Sequence, residues 1–336
     1  MRASSPRSHQ SAPGARLHGA RGVAEVVGQL QGFHAAAGAW EREILPARVA
    51  GYEPGMLDAL CLSGEVAWGR LAVAPEPGDV PRRRAAPTRH APVTLALRSD
   101  LPWLLAAGLD EPPPLGASAR ALVDLLARCG ACFLPDLAAM TGRLPGEVEG
   151  ALWELVSAGL VTCDGFAGLR ALLDPPPRHR PRRPGHGGGR WALLRPPRPE
   201  GAPPGPSPIE PTARQLLARW GVVFRDLLGR EPLAPPWREL LPVYRALEAR
   251  GEIRGGRFVA GLSGEQYALP TAVETLRAVR RAPGGAERVE LSGADPLNLV
   301  GGILPGTRVP ATLGARVAYL DGVPVAAYPT TEATGR

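Results

Sequence analysis

Apolar positions along this chain fall into helical stripes that end, three times, in the same short phrase. Leu60–Val66 reads LCLSGEV, Leu155–Val161 reads LVSAGLV and Leu247–Ile253 reads LEARGEI. Upstream of each glycine, apolar residues stand eight, seven and four positions back: Met56, Leu57, Leu60; Ala151, Leu152, Leu155; Val243, Tyr244, Leu247. That spacing is one face of an α-helix. Gly64, Gly159 and Gly251 then stand where a left-handed C-terminal cap is wanted, and Val66, Val161 and Ile253 open runs with strand-like content. Each phrase predicts a helix running into a hairpin.

Longer stretches upstream of the second and third phrases extend the pattern. ARALVDLLARCGACFLPDLAAMTGRLPGEVEGALWELVSAGLV predicts helices over about 118–129, 134–141 and 145–158. TARQLLARWGVVFRDLLGREPLAPPWRELLPVYRALEARGEI repeats the plan, with a Gly-x-x-Phe between the first two helices in both (Gly130–Phe133 and Gly221–Phe224). Three short helices followed by a hairpin is a winged helix. The three capping glycines are 95 and 92 residues apart, farther than solenoid repeats need, so the units are separate small domains. The first copy shows less of the plan and reads as a partial unit.

From Ala286 the period changes to that of strands. ERVELSG, LNLVGGIL and ARVAYLDGVPVAAY are short runs broken by Gly and Pro, and Asp321-Gly322 is a type I′ hairpin signal. VTLALR (Val93–Arg98) and RWALL (Arg190–Leu194) are further strands, and together these pieces are expected to close a small β-barrel. The predicted class is α+β: tandem winged helices with a small barrel. The division expected is a disordered tail at 1–20, a partial winged-helix unit with the start of a basic linker at 21–92, and a strand plus winged helix at 93–175. A Pro/Gly/Arg-rich linker with one strand (176–208), a winged helix (209–282), the barrel or hairpin region (283–329) and a tail (330–336) complete it.

Composition narrows the function classes. Hydrophobic residues make up 44% of the 336, but much of that is Ala, and 42 Gly and 39 Pro dilute the core-forming content. No run of 18 apolar residues occurs, which argues against a membrane span. The first 20 residues lack the apolar stretch of a signal peptide, so a cytoplasmic location is expected. All 39 basic residues are arginine, in keeping with a GC-rich coding sequence. A Walker A loop needs a lysine at the phosphates, so this chain carries no such loop, and no cofactor is expected.

A net charge of +7 points to an acidic partner, nucleic acid being the usual one. Much of the excess lies in PRRR (Pro81–Arg84) and RHRPRRPGHGGGR (Arg178–Arg190), which read as solvated linkers. The second unit carries Glu147, Glu149, Glu154 and Asp164, which would repel a phosphate backbone. The third has Arg238, Arg245 and Arg250 on its helix and Arg254 and Arg257 in its wing, partly offset by Glu239, Glu248 and Glu252. These five arginines are the candidate DNA-binding residues. Of the four cysteines, Cys129-x-x-Cys132 has zinc-knuckle spacing, but Cys61 and Cys163 supply no second pair, so no metal site is assigned.

Three stretches carry a family resemblance: WEREILPARVAGYEPGMLDALCLSGEVAWGRL, then ARQLLARWGVVFRDLLGRE with PPWRELLPVYRALEARGEIRGGRFVAGLSGEQYALP, and ADPLNLVGGILPGTRVPA. They resemble the C-terminal region of Lhr-type DEAD/DEAH-box DNA helicases of superfamily 2, over about Val23 to Val325. The resemblance implies winged helices and a barrel used in DNA binding, single-stranded or duplex, with a helicase motor polypeptide and a homo-oligomer as further partners. The chain is also similar to the winged-helix DNA glycosylases of the AlkZ and YcaQ group. That similarity implies a Gln-x-Gln or Gln-x-Asp motif positioning water, and Gln29-Leu30-Gln31 stands in a comparable place. Gln29, Gln31 and Asp295, with Asn298 beside the last, are therefore the catalytic candidates. An ordinary polar helix end and an Asp-Pro turn are the plainer readings of the same residues. The glutamine pair is expected near a concave junction, without a carboxylate in reach.

Overall fold

The three phrases are three copies of one backbone event. Gly64, Gly159 and Gly251 adopt φ of 79°, 71° and 75°. In each, the residue after the glycine donates its N–H to the carbonyl of the phrase's leucine at 3.0 Å: Glu65 to Leu60, Leu160 to Leu155 and Glu252 to Leu247. A side chain other than glycine is strained at such φ, so the cap requires glycine and turns the chain into the hairpin. The computed structural model describes residues 16–72, 87–107, 114–173, 189–195, 207–281 and 287–329.

All three units are winged helices of one topology. The first has the helix Gly19–Leu30, a helical segment at 37–48 whose centre Trp40–Ile44 is π-helical, and the helix Pro54–Leu62. The second has Ala117–Cys129, Leu134–Thr141 and Pro145–Ser157, close to the predicted bounds. The third has Ile209–Trp220, the 3-10 turn Arg225–Arg230 and Trp237–Ala249, followed by the helix Pro270–Arg281. Each sheet places the returning hairpin strand in the centre, between the outgoing strand and a two-residue strand that follows the first helix. The first unit is thus complete in plan.

Two strands belong elsewhere than the sequence suggested. Pro92–Leu97 pairs antiparallel with Val66–Gly69, Val66 opposite Leu97, so it closes the first wing and does not open the second unit. Arg190–Leu193 pairs with Val161–Cys163, so it closes the second wing. Pro81–Arg84 and most of Arg178–Arg190 lie outside the described residues; in chain order they sit between the two strands of a wing, not between units. Leu17–His18 pairs in parallel with Val49–Ala50, which ties down the end of the stretch expected to be a tail.

No sheet among the described residues closes into a barrel. Arg288–Ser292, Ala315–Leu320 and Val323–Pro329 form a three-stranded antiparallel meander, turned by Asp321 and Gly322 at φ of 47° and 77°. LNLVGGIL folds as turns with one bridge, Val300 to Leu304. Asn298 Nδ2 donates to the carbonyls of Gly293 and Val309, drawing the loop back on itself. Gly301, at φ 73°, lies against the Arg308 backbone so closely that no Cβ would fit.

The first two units share one core. Trp68 of the first wing meets Phe166 and Trp191 of the second unit edge-on, at 6.1 and 6.0 Å, and donates its indole N–H to the Gly165 carbonyl. The third unit has its own core, in which Tyr244 and Tyr267 stack at 5.2 Å. The C-terminal region spans the units: Leu297, Leu299 and Ile303 of its loop pack on the third core, while Arg316, on the strand Ala315–Leu320, grips Glu43 of the first unit with both guanidinium nitrogens.

Candidate nucleic-acid interface and a buried polar junction

The third unit carries twelve arginines against eight carboxylates between 207 and 281, whereas residues 114–173 carry four against six. The hairpin after Trp237–Ala249 presents Arg254 and Arg257 on an exposed wing. Neither makes an ion pair among the described residues. The other three sequence candidates are exposed but engaged to different degrees. Arg245 meets Glu265 at 3.0 Å, Arg250 meets Glu252 at 2.6 Å, and Arg238 approaches Glu239 only to 3.9 Å. The helix Pro270–Arg281 adds Arg277, Arg280 and Arg281, all exposed. These lie outside the five candidates, although their spacing of three and four residues is a helical signal legible in the sequence.

Gln31 lies at the junction between the first and third units, with 4% of its surface exposed. Its amide donates to Asp100 Oδ2 at 2.8 Å and to Gln215 Oε1 at 3.0 Å, and its Oε1 accepts the Leu97 N–H at 3.1 Å. A carboxylate is therefore in reach, contrary to expectation, because the 3-10 turn Arg98–Asp100 follows directly on the returning strand of the first wing. Gln29 contributes its carbonyl, which accepts from Gln215 Nε2 at 2.8 Å, while its side chain is half-buried. Arg219, on the same helix as Gln215, donates to the Gln31 carbonyl and to Glu231, and its guanidinium lies 5.7 Å from the Phe33 ring centre. Both amide hydrogens of Gln31 are committed to protein partners.

Near this junction is His34, whose ring Nε2 accepts the Ala72 N–H at 3.3 Å. Burial, with Arg70 and Arg219 adding repulsion, lowers its pKa to about 4, so the ring is neutral at neutral pH. Asp295 is not a free base. It is buried and held by Arg48 through two parallel bonds, and it also accepts the Leu297 N–H. Asn298 is the loop brace described above. Cys129 is exposed and Cys132 buried, and no three metal-ligating side chains come together among the described residues. No described helix is long and apolar enough to cross a membrane.

Residues 2–82 and 205–288 each match a family model for a winged-helix domain of the large helicase-related protein, Lhr. An "Lhr helicase/ probable uracil glycosylase" of Mycolicibacterium smegmatis is 31% identical over 344 residues, covering 90% of this chain and 21% of that protein. An "Lhr helicase/uracil glycosylase" of Escherichia coli is 30% identical over 335 residues, covering 88% and 20%. The chain thus spans about a fifth of the length of these relatives. Among solved structures, the Streptomyces sahachiroi DNA glycosylase AlkZ superposes with a TM-score of 0.51 at 14% identity, over 95% of this chain and 84% of that one, a likeness of fold. With three winged helices in series and these matches along its length, the chain is related to the C-terminal region of the Lhr-type large helicase-related proteins, on a fold shared with AlkZ.

Proposed function

We propose that this chain is a DNA-binding winged-helix region of an Lhr-type helicase, working in DNA repair in the cytoplasm alongside a motor polypeptide. The observation that carries the reading is the third wing, where Arg254 and Arg257 stand exposed and, among the described residues, without an ion pair, beside a helix bearing Arg238. Arginines on two elements of one unit can neutralise phosphates along a groove, which supplies affinity without base readout. The helix Trp237–Ala249 has no Asn or Gln to pair with adenine, so binding across sequences is the expected mode. Arg245 and Arg250 contribute less, since Glu265 and Glu252 already neutralise them. Fluorescence anisotropy on labelled oligonucleotides tests this. Arg254→Ala with Arg257→Ala should weaken binding of unrelated sequences alike and reduce the salt slope by about one unit for each phosphate no longer neutralised. Affinity at low salt unchanged in the double variant would place the DNA on another surface.

A second reading, glycosylase action on a damaged or misplaced base, draws on the names of the relatives and on the fold shared with AlkZ. Within this chain the relevant feature is Gln31 beside the half-buried Asp100. The committed amide of Gln31 favours a bracing role, with Asp100 the better acceptor for water. Duplexes carrying uracil, alkylated purines or a crosslink, followed by alkaline cleavage, decide it. Base release abolished by Asp100→Asn with DNA binding intact would establish this reading.

A further inference from the structure

The third wing holds an open cavity of about 480 Å³, a volume in the range of small-ligand sites. Its walls are Glu248 from the helix Trp237–Ala249, Gly255, Gly256 and Arg257 from the outgoing arm of the hairpin, and Gly264, Glu265, Gln266 and Tyr267 from the returning arm. The cavity is fixed by its own hydrogen bonds. Gln266, with 0% of its surface exposed, accepts the Phe258 and Val259 N–H groups at 2.8 Å on Oε1 and donates to the Val259 carbonyl at 2.9 Å, which pins the loop just beyond Arg257. Glu248 Oε1 accepts the Gly255 N–H at 3.0 Å, and a Cβ on Gly255 would stand 2.4 Å from that oxygen. Glycine at 255 thus lets the carboxylate in against the strand. On the opposite arm, Arg245 donates to Glu265 Oε1 at 3.0 Å. The second oxygen of each carboxylate takes no hydrogen bond among the described residues, so Glu248 and Glu265 each present an open acceptor. Arg257 adds an exposed cation that makes no ion pair among the described residues.

These groups select what can lie between them. Two carboxylates turn away a phosphate, and Arg257 with Arg245 turns away a cation. What fits is a neutral group with two N–H donors that carries an anion outside the cavity. Guanine has N1–H and its 2-amino group side by side on one edge, and in a strand a phosphate follows. In a duplex that edge is occupied by pairing with cytosine, so only an unpaired guanine offers both donors. We propose that the cavity of the third wing binds an unpaired guanine of a DNA strand, its N–H edge on Glu248 and Glu265 and its phosphate on Arg257. This assignment rests on the DNA-binding reading above and deepens it; duplex binding through phosphates stays indifferent to sequence.

The test compares the full chain with the double variant Glu248→Gln, Glu265→Gln, in which an amide oxygen can keep the Gly255 and Arg245 bonds while an amide N–H replaces each open acceptor. Fluorescence anisotropy on a labelled thymine strand, with one central position changed to guanine, cytosine or inosine, reads the preference. The parent should bind the guanine strand about tenfold more tightly than the thymine strand. Inosine, which lacks the 2-amino group, should lose most of that gain, a comparison made on the parent alone that holds even if the double variant does not fold. In the double variant the preference should vanish while the thymine strand binds more tightly at low salt, because two negative charges are gone. Equal binding of all strands by the parent overturns the cavity and leaves the DNA reading standing, as does a guanine preference that survives in the double variant. Binding of none of the strands sinks the DNA reading, and saturation-transfer NMR with free guanosine monophosphate then decides the cavity: transfer lost in the double variant upholds it, and transfer absent or unchanged overturns it. Transfer to free arginine instead, lost in the double variant, overturns the guanine and makes the cavity a seat for a cationic side chain.

Discussion

Arg48 and Asp295, 247 positions apart in the chain, face each other through parallel hydrogen bonds of 2.7 and 2.9 Å, each with about 1% of its surface exposed. This fork joins the first winged helix to the C-terminal loop at a point from which water is excluded. A buried pair is worth little against an apolar replacement, but a broken one leaves a bare charge. Asp295→Ala should therefore cost about 3–5 kcal/mol in urea denaturation, and Arg48→Met combined with Asp295→Leu should recover most of it. If Asp295→Ala is as stable as the parent and loses only a catalytic activity, the structural assignment is wrong.

Gln31 and Gln215 hold the first and third units together through an amide-to-amide bond of 3.0 Å. Gln31→Ala strands the Leu97 N–H and the Gln215 carbonyl oxygen, a loss of about 1–3 kcal/mol. Amide exchange should quicken at the ends of Gly19–Leu30 and Ile209–Trp220 that meet there. Exchange at Tyr244 and Leu247, inside the third core, should stay as in the parent.

His34 ties stability to pH. Its folded pKa of about 4 lies below the unfolded value near 6.5. The unfolded chain takes up the proton first on acidification, so the contribution is complete above pH 6.5 and is lost as pH falls towards 4. The loss is on the order of 3 kcal/mol. A pH series of denaturation midpoints should flatten over that window in His34→Leu; an unchanged slope there would assign the acid sensitivity to other groups.

Burial pushes the Cys61 and Cys163 thiols up to about 12 and raises Cys132, while Cys129 is exposed. Thiolate is the reacting form, so a native chain should be alkylated first at Cys129 and a denatured one at all four cysteines. Peptide mapping after a short exposure to iodoacetamide reads this directly. Early labelling of Cys61 would show that the shared core opens on that timescale.

The local order of this protein was legible in its sequence. Helix faces are set by apolar spacing, and left-handed caps by glycine, both properties of a few neighbouring residues. The three phrases therefore located the helix ends, and Asp321-Gly322 located the last hairpin. Strand partnership was not legible in the same way. Val66–Gly69 and Pro92–Leu97 are separated by Pro- and Arg-rich chain, and an isolated strand carries no mark of its partner, so two wing strands read as pieces of a barrel. The candidate site divided along the same line. Arg254 and Arg257 were identifiable because charge on a wing is a local property. Whether an arginine is without an ion pair, as these are among the described residues, or spent on Glu265 or Glu252, as Arg245 and Arg250 are, depends on where other segments bring their carboxylates. Asp295 and Gln31 make the point most fully: as letters each is a polar group suited to chemistry, and only folding, by bringing Arg48 and Gln215 against them, made them braces between units.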